Sequence, residues 1–100
     1  MTIETFNAAL LHDAPPGGWS PALQALWHQG KGDWDRAHRL AQAQEDADGA
    51  WVHAHLHRKG DFANARYWYR RAGREPSAAP LDDEFRAIAA ALLAAVPPGE

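Results

Sequence analysis

The sequence contains no cysteine. Disulfides, thiol nucleophiles and thiolate-bound zinc are therefore excluded, and a reducing compartment fits this usage. Serine is nearly as scarce. Ser20 and Ser77 each stand where a helix cap or turn is expected, so neither is a candidate nucleophile. No segment alternates with period two or is rich in β-branched residues, which leaves no strand and no glycine-rich phosphate cradle following one. The longest weakly polar run, 87–96, is about half the length a membrane-spanning helix needs. Residues 1–6 carry no basic region followed by an apolar run, so a secretory signal is not expected and a soluble, cytoplasmic chain is. The formal net charge of -3 excludes the basic field that drives unspecific nucleic-acid binding.

What the chain does have is the composition of one ordinary globular domain. It is 100 residues long, 46% hydrophobic and 23% charged, with a core of limited size expected at this length. Five tryptophans are a heavy load of large amphipathic rings.

Helical periodicity runs from end to end. Ile3, Phe6 and Leu10 mark a first helix that reaches about His12, with Thr2 as its N-cap, before the 13–18 segment of paired prolines and glycines stops it. Ser20-Pro21 opens a second helix with Leu23, Leu26 and Trp27 on one face, ended at Gly30. Asp33 caps a third, whose buried stripe is expected to be Trp34, Ala37, Leu40 and Ala41. Acids at 45–48 precede a fourth helix with Trp51, Val52, His55, Leu56 and Lys59 on one side. Asp61 caps a fifth, striped with Phe62, Ala65, Trp68, Tyr69 and Ala72, and Gly73 stops it. Asp82, Asp83 and Glu84 begin a sixth as helix-dipole acids, with Phe85, Ile88, Leu92 and Val96 as its apolar edge. An all-α fold of five or six helices follows. A first hairpin over 21–44, a second over 48–73 and a capping helix over 81–96 form one domain, and 97–100 is a frayed tail.

The hairpins echo each other. Gly32-Asp33-Trp34 returns as Gly60-Asp61-Phe62 at an offset of 28 positions (60 − 32), and Ala37/Ala65 and Leu40/Trp68 keep that offset. A repeat of this size is a stacked unit that cannot bury its own face alone. At these residues the chain resembles tetratricopeptide and Sel1-like repeats. Ala65-Arg66-Tyr67-Trp68-Tyr69-Arg70-Arg71-Ala72 looks like the Sel1 helix, with alanine, two variable residues, Trp-Tyr, two more and alanine. The resemblance covers 51–76 well and 21–44 less closely. The chain also looks like small uncharacterised bacterial proteins built around Leu-Trp-His and Tyr-Trp-Tyr-Arg-Arg-Ala segments. The repeat resemblance implies a non-enzymatic interaction module. The short spacing and the Leu40-Ala41 pair in place of Trp68-Tyr69 imply a compact capped bundle rather than an open superhelix.

Three constellations could carry chemistry. His53 and His57, one turn apart on a helix, could chelate a metal with a third ligand from His28, His38 or the acids at 45–48, while His55 points away into the apolar side. No glutamate stands in the His-Glu-x-x-His arrangement of a hydrolase, and the alternative to an interaction module is a metal-binding protein or metal-dependent enzyme using His53 and His57. The plain alternative is a solvated pair. Arg66, Tyr67, Arg70, Arg71 and Arg74, with Arg58 and Lys59, form a basic and aromatic surface suited to an acidic or C-terminal peptide, to a second copy in a homodimer, or less well to single-stranded nucleic acid. The plain alternative is that these arginines answer Glu45, Asp46, Asp48 and the acids at 82–84. Trp19, in a loop after two glycines, is a candidate surface anchor for a partner. No catalytic motif and no cofactor signature accompany them.

Overall fold

The computed structural model describes residues 2–96. The tail expected over 97–100 lies outside them. Six helices carry the fold: α1 Ile3–Ala9, α2 Pro21–Gly30, α3 Trp34–Ala43, α4 Ala47–His57, α5 Phe62–Arg71 and α6 Leu81–Ala94. No strand occurs among the described residues.

Local chemistry sets the boundaries. The side chains of Ser20, Asp33, Asp46 and Asp61 accept hydrogen bonds from the backbone N–H groups of Leu23, Arg36, Gly49 and Asn64, capping α2 to α5. Gly32 (φ 86°) and Gly73 (φ 72°) close α2 and α5 in the left-handed conformation. Each is followed by a residue whose N–H returns to the helix, from Asp33 to the His28 carbonyl and from Arg74 to that of Tyr69. Helix α2 ends at Gly30 as expected, with the left-handed turn following at Gly32. Helix α1 ends earlier than its apolar spacing suggests, because Leu11 and His12 turn back onto Ala8 and Ala9 in tight i→i+3 bonds. Thr2 gives α1 no side-chain cap.

Helices α2 and α3 pack as one hairpin and α4 and α5 as another, while α6 lies across α1, α2 and α4. The 28-position offset holds in the packing: Ala37 and Ala65 are both 0% exposed, and Ala41 and Tyr69 are each 1% exposed. The aromatic members of the motif depart from expectation together. Trp34 (43% exposed) and Phe62 (49% exposed) begin their helices outside the core rather than in the buried stripe.

Trp19 is corrected in the opposite sense. It is not a surface anchor but a core residue, 4% exposed and stacked on Phe6 with ring centroids 5.7 Å apart. Gly18 (φ 85°) turns the loop inward, and Gln24 Nε2 donates to the Trp19 carbonyl at 2.7 Å. Burying a ring of this size is worth roughly 2–3 kcal/mol, which decides the loop's path. Trp27 is also interior, with its indole N–H satisfied by the Ala9 carbonyl at 2.8 Å.

Helix α4 is the centre of the molecule. It touches α2, α3, α5 and α6, and every residue from Gly49 to Leu56 is buried. A helix surrounded on all sides has no solvent face to give its polar residues. His53 and His55 are therefore inside, and His57, at the helix end, is half-buried.

Candidate metal centre

On one side of α4, His53 and His57 lie a turn apart and face His38 of α3. The Nε2 atoms of His53 and His57 are 3.1 Å apart, and one ligand atom from each of the three rings falls within 4.8 Å of the others. Aromatic rings enclose the group. Trp68 stacks on His53 with centroids 3.9 Å apart, and Trp34 stacks on His38 at 4.9 Å with its edge against His57. Trp34 is fixed there because its indole N–H donates to the Leu56 carbonyl at 3.1 Å. This contact explains why it leaves the core.

The environment disfavours protonation of His53 and His57. Burial, followed by the proximity of His38 and His57, pushes the pKa of His53 down to about 4. Burial and His38 lower that of His57 as well, with Asp61 opposing them. His53 is 2% exposed, and its Nδ1 is enclosed without a hydrogen-bond partner, so either tautomer leaves one polar atom of the ring unsatisfied.

Neutral, convergent imidazoles are what a borderline divalent ion requires. In a tetrahedral zinc site, bonds of about 2.0–2.1 Å put ligand atoms roughly 3.3 Å apart. The His53–His57 pair is close to that spacing at 3.1 Å, and His38 offers a third ligand atom within 4.8 Å of both. Of the third ligands suggested by the sequence, His38 is the one brought to the pair. His28 sits edge-on to Trp27 at 4.9 Å, and Asp46 is occupied as the cap of α4. His53 and His57 are not a solvated pair.

The opposite side of α4 carries a second polar cluster. His55 Nδ1 lies 2.7 Å from Glu84 Oε1, Arg58 Nη1 donates to the same oxygen at 2.9 Å, and the Tyr69 hydroxyl donates to Oε2. Gln29 Nε2 meets His55 Nε2 at 3.0 Å. Burial would raise the pKa of Glu84, but hydrogen bonds from His55, Tyr69 and Arg58 outweigh it and hold the carboxyl below its usual range. Burial and the Glu84 carboxylate together push the Tyr69 hydroxyl up. Glu84 is thus no mere helix-dipole acid: it is 5% exposed and joins α4, α5 and α6. The sequence signal was its place one turn before Ile88, on the apolar edge of α6.

The basic residues lie on α5 and beyond it. Arg66 sits over Phe62 at 5.8 Å, Arg70 and Arg71 over Tyr67 at 5.9 and 5.8 Å, and Arg74 over Trp51 at 3.4 Å. Arg71 also donates to the Tyr67 hydroxyl at 2.8 Å. Among the described residues, none of these four arginines forms an ion pair with an acid, whereas Arg58 answers Glu84.

No protein-family model, curated protein or solved structure compared with the chain matches it. No helix among the described residues is long and apolar enough to cross a membrane.

Proposed function

We propose that this chain is a metal-binding protein that holds one divalent ion of the zinc class with His38, His53 and His57. The observation that carries this reading is the convergence of three imidazoles from two helices, one ligand atom from each within 4.8 Å of the others, around a buried His53. Depressed proton affinity favours it further, since the ligating form is the neutral ring and protons compete weakly near neutral pH. The ion would tie α3 to α4, and so one hairpin to the other. Metal analysis of protein purified without an affinity tag tests it. One chelator-removable equivalent is expected for the wild-type chain and none for the His38→Ala/His57→Ala variant with unchanged helicity. A wild-type chain that binds no zinc at micromolar concentration would refute it.

A second reading is favoured by the arginines that no acid among the described residues answers. The surface of Arg66, Tyr67, Arg70 and Arg71, with Arg74 beside it, is suited to an acidic or C-terminal peptide or to a second copy of the chain. This would be a tetratricopeptide-like interaction module. Tyr67 is 41% exposed and is flanked by cations on its own helix. The Arg66→Glu/Arg70→Glu variant should then lose binding to an acidic peptide, and any self-association, with its circular dichroism unchanged. Equal binding by wild type and variant would remove this reading and leave the metal site untouched.

A further inference from the structure

A groove of about 420 Å³ runs past the C-terminal end of α4, and its walls include His57 and Trp34, which also belong to the histidine cluster. Resting on the metal reading above, we infer that the bound ion is open to this groove and takes as its further ligand a small carboxylate with an apolar body.

The ligand count comes first. A closed structural zinc site has four protein ligands, whereas three leave a position for water or a small molecule. Among the described residues, no fourth histidine, aspartate or glutamate joins His38, His53 and His57. The side-chain amide nitrogen of Asn64 approaches His57 Nε2 at 3.4 Å, but it is a donor and no metal ligand.

The groove supplies the rest. Its volume lies in the range of small-molecule sites, enough for a single-ring compound and too little for a folded partner. Trp34, Leu56 and Leu81 give it apolar walls, and Trp34 and Leu81 are among the large hydrophobic side chains that stay exposed. Two charged residues line it, Lys59 and Asp61. Asp61 is engaged as the cap of α5, accepting from the Asn64 N–H at 3.2 Å. Lys59 forms no ion pair among the described residues. A divalent ion at one wall and the Lys59 ammonium at another favour an anion, and the apolar walls between them favour a hydrocarbon or aromatic body. A carboxylate can ligate the ion through its oxygens, while the Lys59 ammonium adds to the positive field that draws an anion into the groove.

The test uses the full chain loaded with cobalt(II), whose visible bands report coordination, with benzoate and acetate as probes. Benzoate is expected to shift the bands saturably and to bind about tenfold or more tightly than acetate. Lys59→Ala should weaken benzoate about fivefold while leaving the ligand-free cobalt spectrum unchanged. Leu81→Ala should bring benzoate closer to acetate. A cobalt spectrum that forms but does not respond to benzoate, or equal affinities for the two acids, overturns this inference and leaves the metal site standing. Failure to form the cobalt spectrum overturns both.

Discussion

His53 is the residue on which the site's electrostatics turn, and its burial makes a definite statement about pH. The unfolded chain protonates this ring below about 6.5, the folded chain only below about 4. Between those values the unfolded state binds more protons, so stability is fully present above the upper limit and falls as pH is lowered through the window. The loss should be about 3 kcal/mol over the whole window and about 2 kcal/mol by pH 5, and the lowered pKa of His57 acts in the same direction. Glu84 also loses its contribution on acidification, but only below the ordinary carboxylate value of 4.5. Urea midpoints measured in chelator at pH 7.5 and pH 5 isolate the histidines. His53→Phe, which keeps a ring against Trp68, should flatten that dependence, and an unchanged slope would assign it elsewhere.

Glu84 makes a second residue-scale prediction. One carboxylate receives His55, Arg58 and Tyr69, so Glu84→Gln leaves the Arg58 charge uncompensated and removes one acceptor oxygen. Breaking a buried pair by taking one partner typically costs about 3–5 kcal/mol. Because Arg58 retains 11% side-chain exposure, the lower end of that range is expected. Chemical denaturation of the variant at pH 7.5 measures it.

At the scale of the element, α4 separates what periodicity could reveal from what it could not. The six helices, and the caps of α2, α3 and α5, were legible because Ser20, Asp33 and Asp61 stand immediately before apolar repeats of helical spacing. In α4 the same method found one apolar side, yet the residues from Gly49 to Leu56 are all buried. Polar histidines break the apolar stripe in sequence, and only the positions of α3, α5 and α6 decide that they too are enclosed. Trp34 failed for a related reason: its spacing fits the stripe of α3, but its ring is drawn aside by the imidazoles of His38 and His57 and by the Leu56 carbonyl. The pairing of His53 with His57 followed from one turn of helix. The choice of His38 over His28 needed the tertiary arrangement.

Close packing of α4 gives an element-scale prediction at Gly49. A Cβ added there would collide with the backbone carbonyl of Gln44 and press on that of Ala41, so neither contact can be relieved by a side-chain rotation. Although alanine is the better helix former by about 1 kcal/mol, Gly49→Ala should destabilise the protein by about 2 kcal/mol or more, within the range for overpacked sites. A thermal melt of the variant decides the sign. Greater stability than wild type would mean that the Gln44–Asp46 turn yields easily.

For the whole molecule, the two polar clusters on opposite sides of α4 divide the tertiary connections between them. Glu84 fastens α6 to α4 and α5 without help from any ion. The histidine cluster bridges α3 and α4, and so joins one hairpin to the other, with three ligand atoms converging within 4.8 Å. Metal should therefore raise the stability of the entire fold by mass action. Free zinc at a hundred times its dissociation constant adds about 2.7 kcal/mol, which for a chain of 100 residues corresponds to a rise in Tm of roughly 10–20 °C. Scanning calorimetry with and without zinc measures this directly. The His38→Ala/His57→Ala variant should melt at one temperature in both conditions, because its hairpins meet through the same apolar seam but hold no ion. A zinc-induced rise that survives in that variant would place the ion at some other position on the fold.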